Sequence, residues 1–226
     1  MIALLTPPMP NDSPTLLSEP TAGSTNRTST KERGYDQEQN LFGIIQGGVD
    51  PALRVESARA VCALDLPGFA VGGLSVGEKN NEFRIALEAT TPEMPIDKPR
   101  YLMGVGSIPE ILFAVENGID MFDCVLPTRN ARNGQVFTSR GKLNLRAEYN
   151  RLETGPIDPE CGCRVCKRYS LGYIRHLHKS KEILALSLSS YHNLYFMIRF
   201  MEGIRESIAR GRFQEFRDHW LPLFSA

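Results

Sequence analysis

The chain has 226 residues, 42% hydrophobic and 23% charged, enough for one sizeable domain or one domain with a small appendage. Its 26 basic residues are balanced by 26 acidic ones, so any nucleic-acid contact has to come from a local basic patch. No apolar run approaches a membrane span, and Met1–Leu5 is too short and lacks the basic lead of a signal peptide.

Residues 1–34 are rich in Pro, Ser and Thr and read as a disordered or poorly packed leader. From Tyr35 onward one theme repeats: a short apolar run ends in glycine or a polar group, and a helical pattern follows. The runs are Leu41–Gly48, Gly68–Leu74, Arg100–Gly106 and Gly118–Pro127. Stretches with helical spacing separate them, at Ala52–Leu64, Glu82–Ala89 and Pro109–Glu116. Strands alternating with helices of this length predict parallel βαβ units. Ligands of parallel α/β folds sit outside the carboxyl ends of the strands, where these glycines would admit a flat molecule. Tight turns alone explain any single glycine pair. Four in succession point to a shared site.

Asp123 ends the fourth run inside Met121-Phe-Asp-Cys-Val-Leu126, where an ionisable carboxylate is costly unless something satisfies or uses it. It is a candidate nucleophile, with a buried, hydrogen-bonded aspartate as the alternative. The following Pro127-Thr-Arg-Asn-Ala-Arg-Asn-Gly134 reads as a short loop carrying Arg129 and Arg132, suited to phosphate and base-edge contacts or simply solvated.

Gln135–Leu145 predicts a small hairpin turning near Arg140-Gly141. Next, Cys161-Gly-Cys-Arg-Val-Cys166 packs three thiols into a C-x-C-x2-C knuckle. Three clustered cysteines cannot all pair locally as disulfides, whereas a tetrahedral Zn²⁺ site uses this spacing and takes a fourth ligand from further along. A thiolate cluster without a secretory signal places the protein in the reducing cytoplasm. Helices are expected at Tyr169–His178, Lys181–Leu188 and His192–Ala209. In the last, Leu194, Met197, Ile198, Met201, Ile204 and Ile208 form a stripe expected to pack in the core.

These motifs are specific enough to carry a family resemblance. Phe42-Gly-Ile-Ile-Gln-Gly-Gly48, Ala70-Val-Gly-Gly-Leu-Ser-Val-Gly-Glu78, Arg100-Tyr-Leu-Met-Gly-Val-Gly106 and Asp120–Gly134 resemble tRNA-guanine transglycosylase of the bacterial type. So do Pro156–Cys166 and His192-Asn-Leu-Tyr-Phe196, in consistent order from about Leu41 to about Phe216. The resemblance implies an α/β chain that forms the second half of a (β/α)8 TIM barrel, strands five to eight, with a zinc-binding subdomain. On this reading residues 35–134 are the half barrel, 135–192 the zinc subdomain and 193–226 a C-terminal helix on the barrel. It selects His192, over His176 and His178, as the fourth ligand beside Cys161, Cys163 and Cys166 for one structural zinc per chain.

The implied activity is exchange of the wobble guanine of tRNA for a 7-deazaguanine base, in queuosine biosynthesis. Asp123 matches the family's nucleophile, Gln46 a side chain reading the base, and Gly73 with Leu74 backbone groups doing the same. Met103 and Gly104 match the platform under the purine. Gly104, Val105, Gly106 and Ser107, with Thr128, Arg129, Asn130, Ala131 and Arg132, match segments contacting the tRNA anticodon loop. An Asp-Ser-Gly-Gly-Phe-Gln-like motif, whose aspartate is the family's general acid/base, does not occur in this sequence. The chain is therefore expected to be inactive alone. Its implied partners are another copy of itself or a separate first-half fragment. The alternative is a non-catalytic zinc- and tRNA-binding subunit of a full-length enzyme.

Overall fold

The computed structural model describes residues 2–3, 40–75 and 77–225. The leader expected over residues 1–34 lies outside them, apart from the backbone of Ile2–Ala3, which forms the two-residue strand β1. The main sheet is α/β and mostly parallel, as the alternating pattern predicts. It contains β2 (Phe42–Ile45), β3 (Gly68–Val71), β4 (Arg100–Leu102) and β5 (Met121–Phe122), in the order β1-β5-β4-β3-β2. β2, β3, β4 and β5 are parallel to one another, and β1 pairs antiparallel with β5.

Three helices make the crossovers: α1 (Pro51–Cys62), α2 (Asn80–Thr90) and α3 (Ile108–Glu116). Asp50 starts α1 by accepting hydrogen bonds from the Ala52 and Leu53 amides at 2.8 and 3.2 Å, and Pro51 follows it at the first helical position. Ser107 starts α3 in the same way, with Pro109 in its first turn.

Strand alternation sets the two faces of the sheet. Ile45, Phe69, Val71, Leu102 and Phe122 point into one core with Ala58, Phe83, Leu87, Ile111 and Leu112 of the helices. Fully burying an aliphatic or aromatic side chain contributes about 2 kcal/mol, so this face holds the sheet to its helices. Ile44, Ala70, Tyr101 and Met121 occupy the alternate positions, and Ile44 is 45% exposed. Extending the same parity beyond the strand ends brings Gln46, Met103 and Asp123 to that second face.

After β5 come α4 (Leu126–Arg132) and the antiparallel hairpin β6 (Gln135–Thr138) and β7 (Gly141–Asn144), as the sequence predicts for the hairpin. Then follow α5 (Arg164–Arg168), α6 (Leu171–Lys179), α7 (Ile183–Ala209) and α8 (Phe213–Phe224).

Three expectations are corrected here. The segment carrying Arg129 and Arg132 is a helix, because Pro127 suits a first turn and Gly134, at φ +82, suits the turn after the last. The two helices expected at Lys181–Leu188 and His192–Ala209 are one 27-residue helix, which runs through the 192/193 boundary without interruption. No proline or glycine lies between Ile183 and Glu202, and a buried stripe continues from Ala185 and Leu188 through His192, Phe196 and Phe200 to Ile204. That stripe is also displaced from the expected one. Met197, Met201 and Ile204 are in the core, while Leu194, Ile198 and Ile208 are 42–50% exposed and Phe196 and Phe200 take their place.

Candidate functional site

Four successive strand ends meet at the carboxyl edge of the sheet. The Asp123 carboxylate lies just past β5, and its Oδ1 accepts two hydrogen bonds, from the Tyr101 hydroxyl at 2.6 Å and the Gly104 amide at 2.8 Å. Partial burial pushes this carboxyl up, but the Tyr101 and Gly104 hydrogen bonds outweigh it and hold Asp123 below its ordinary value. Burial and the neighbouring carboxylate push the Tyr101 phenol up to about 12, so it remains a donor at neutral pH. Gly104 sits at φ +75, which a side chain would strain, and this turns its amide toward Asp123.

Tyr101→Phe is expected to move the Asp123 carboxyl upward, since one of the bonds favouring the charged form is lost. With a folded-state pKa below the unfolded one, ionised Asp123 contributes stability above the unfolded value and loses it as pH falls through the folded one. In Tyr101→Phe that loss begins at higher pH. A carboxyl-carbon NMR titration of Asp123 checks this, and an unmoved or lowered midpoint would contradict it.

Gln46 follows β2. Its amide donates to Ser57 Oγ at 3.1 Å, and its carboxamide lies against the Gly72–Gly73 backbone beyond β3. A Cβ on Gly72 or Gly73 would come within 2.7 or 2.6 Å of the Gln46 side chain, so neither position accepts one without displacing it. Gly73 is exposed at φ +68, whereas the Leu74 side chain is buried. Met103 is half-buried and ties β4 to β3 through its amide and the Val71 carbonyl, 3.1 Å apart. Gln46, Gly73, Met103, Gly104 and Asp123 thus share one edge.

The remaining candidates have mixed surroundings. Val105 is fully buried in the core, and a Cβ on Gly106 would overlap Cys124, so only their main chains can reach a ligand. Ser107 caps α3 and donates to Glu110 at 2.7 Å. On α4, Arg129 and Arg132 are exposed, Thr128 and Asn130 are half-buried and Ala131 is fully buried. Ser107 and Asn130 line a cleft of about 530 Å³ between α2, α3, α4 and α8; Asp123 and Gln46 are not among its lining residues.

Cys161, Cys163, Cys166 and His192 converge as the resemblance implies. Their ligand atoms lie within 4.8 Å of one another, and the three sulfurs stand 3.7, 3.7 and 3.4 Å from His192 Nδ1. A tetrahedral centre with bonds of about 2.3 Å to sulfur and about 2.0 Å to nitrogen requires S···N separations of about 3.5 Å. The donor set therefore fits one metal ion of that type. His192 Nε2 lies 2.8 Å from the Phe137 carbonyl, which fixes the ring and turns Nδ1 to the sulfurs. Hydrogen bonds from the Cys161 and Cys166 thiols hold Cys163 well below the usual thiol range. Burial pushes His192 down, but the Cys161 and Cys163 sulfurs outweigh it and raise it to about 9, so metal loading releases protons.

Next to the knuckle, buried Asp158 accepts from the Ser139 amide and hydroxyl, each at 2.8 Å, locking the hairpin to it. Asn193 accepts from the Phe137 amide at 3.0 Å and donates to the Pro127 carbonyl at 2.8 Å, linking α7 to the start of α4. Sequence reasoning missed Tyr101 and Asn193. The available signals were a tyrosine at the same strand parity as Met103 and an amide beside the candidate ligand His192.

A family model described as "Queuine tRNA-ribosyltransferase" matches residues 6–225, beginning well before the motif resemblance near Leu41. The chain belongs to that family. It is 61% identical over 188 residues to a "Queuine tRNA-ribosyltransferase" of Leptospira biflexa, covering 83% of this chain and 51% of the relative. Proteins of the same name from Thermodesulfovibrio yellowstonii and Bacillus velezensis are 50% and 51% identical, over 83% and 84% of this chain and 49% and 50% of theirs. The chain spans about half the length of these curated relatives. No helix among the described residues is long and apolar enough to cross a membrane.

Proposed function

We propose that this chain carries the nucleophile and the structural metal of a tRNA-guanine transglycosylase, its sheet being strands five to eight of a (β/α)8 barrel. The observation that carries the reading is Asp123 at the carboxyl edge, ionised and anchored through Oδ1 by Tyr101 and Gly104. Its Oδ2 attacks the anomeric carbon of the wobble nucleotide. The C1′–N9 bond breaks, guanine leaves with the bonding pair and takes up a proton, and an ester joins Asp123 to the ribose. A 7-deazaguanine base then attacks the same carbon through N9, gives up its N9 proton and returns Asp123 to the carboxylate. This is double displacement by a carboxylate, as in retaining glycosidases.

The target base has to leave its stack to reach Asp123. Gln46 and the Gly73–Leu74 backbone read the edge of the incoming base, and Met103 with Gly104 lies under the purine ring, where a flexible thioether suits a flat aromatic. Arg129 and Arg132 contact the anticodon loop beside the target. Zinc at Cys161, Cys163, Cys166 and His192 supplies a rigid cross-link between the knuckle and α7, and its reduced thiolates suit the cytoplasm.

Base exchange tests this reading: labelled guanine should enter tRNA when the chain is mixed with a polypeptide supplying the first half of the barrel. Failure to complement while the chain is folded and metal-loaded would contradict it. A second reading is a non-catalytic zinc- and tRNA-binding subunit of a full-length enzyme. Under it the chain co-elutes with a full-length enzyme and Asp123 is dispensable.

Arg129→Ala and Arg132→Ala are each expected to weaken tRNA binding and to reduce the log–log salt slope by about 1. Filter binding across a salt series checks this, and unchanged slopes would count against an RNA contact.

A further inference from the structure

α1 carries a charge on its core-facing side. Arg54 is fully buried, and its guanidinium reaches three main-chain carbonyls. Nε donates to Gly48 at 2.7 Å, and Nη1 donates to Gly72 at 2.8 Å and to Ile45 at 3.3 Å. Nη2 is buried without a hydrogen-bond partner among the described residues. One turn along α1, Ser57 accepts the Gln46 amide hydrogen bond at 3.1 Å.

The backbone is shaped around this side chain. Gly47 and Gly48 adopt φ +140 and +57, and a Cβ on Gly47 would lie 2.8 Å from the Arg54 amide nitrogen. This tight return brings the Gly48 carbonyl back onto the guanidinium. On the other side, Nη2 lies 3.8 Å from where a Gly73 Cβ would be, beneath the residue pair against which Gln46 rests.

We propose that Arg54 is a positioning residue for base recognition: it ties the carbonyl ends of β2 and β3 together so that Gln46 and the Gly72–Gly73 backbone present one fixed edge to the purine. The inference rests on the base-reading roles given to Gln46 and Gly73 above. Sheet packing does not require a guanidinium here, since well-packed apolar side chains often replace buried ions without loss of stability. What this planar group adds is several donors in a fixed fork, here spread over three carbonyls of two separate strand ends. Lysine keeps the charge but radiates its donors from one atom, so it cannot reproduce that spread.

The test uses the whole chain mixed with the first-half polypeptide of the exchange assay, and guanine as the probe. In Arg54→Lys, calorimetry should show guanine affinity about tenfold weaker than the parent's, the scale of losing a hydrogen bond to a charged group. Bound metal and tRNA affinity should stay at parental levels, and only the NMR amide signals around Gln46 and Gly73 should move. Those readouts separate positioning from general destabilisation. Unchanged guanine affinity in a folded Arg54→Lys overturns the proposal, as does loss of guanine, metal and tRNA binding together. If Arg54→Lys does not fold, Arg54→Met, whose apolar side chain fills the space without a donor, carries the test: weaker guanine binding with parental metal content and tRNA affinity is expected, and parental guanine affinity overturns the proposal. A folded parent that binds no guanine overturns the base-reading assignment itself, and this inference with it.

Discussion

Replacing Asp123 with asparagine is expected to lower base exchange by about 10³-fold or more in the complemented system, because an amide cannot form the ribose ester. The substitution keeps shape and retains an oxygen that can accept the Tyr101 and Gly104 hydrogen bonds, so folding, metal content and tRNA affinity should survive. That separation matters, because a collapsed sheet edge would also abolish exchange. Rates of labelled-guanine incorporation, measured beside metal content and tRNA affinity, distinguish the two. Exchange within a few-fold of the parent would remove Asp123 from the chemistry.

The second large effect belongs to the metal centre. Cys163 is the buried sulfur of the knuckle and also caps α5 by accepting the Cys166 amide at 3.3 Å. Cys163→Ser replaces a soft thiolate with a hydroxyl that stays protonated, so bound zinc should fall from about one per chain to near zero. Around the knuckle, Val136, Leu145, Ile157, Val165, Leu171, Ile174, Leu177, Ala185 and Leu188 form a second, smaller core. Without its cross-link that core is expected to lose more than about 4 kcal/mol, an exceptional loss whose few recognised causes include removal of a metal. Elemental analysis and thermal melts check both parts. A purified parent chain without zinc, or a variant that keeps it, would contradict the assignment.

The loss should also reach α4. His192 holds the Phe137 carbonyl, and Asn193 holds the Phe137 amide and the Pro127 carbonyl. Two adjacent residues of α7 therefore join the cysteine–histidine cluster to the helix carrying Arg129 and Arg132.

The parallel order and the shared edge were legible in the sequence because each strand ended in glycines or a polar group before a helical stretch. The knuckle was legible because three thiols in six residues have few other uses. Choosing His192 over His176 and His178 required the family resemblance, since ligand spacing alone leaves several histidines in reach. The missed features share a physical cause. Whether Pro127–Arg132 is loop or helix depends on how its ends are capped, and Asn130 and Asn133 look loop-like by composition. The α7 stripe was misplaced because Leu194, Ile198 and Ile208 are as apolar as Phe196 and Phe200, and only the partners packed against the helix decide which face is buried. Tyr101 and Arg54 act through hydrogen bonds to groups 22 and 18 residues away in sequence, which no local pattern reveals.

The central claim, that Asp123 bonds covalently to the tRNA ribose, is tested most directly by trapping and mapping the adduct. The complemented chain would be incubated with an anticodon stem-loop, denatured, digested and analysed by mass spectrometry. The expected result is a ribonucleotide mass on the peptide containing Asp123, absent in Asp123→Asn and lost when excess guanine is added before denaturation. An adduct on another residue, or one that persists in Asp123→Asn, would contradict it.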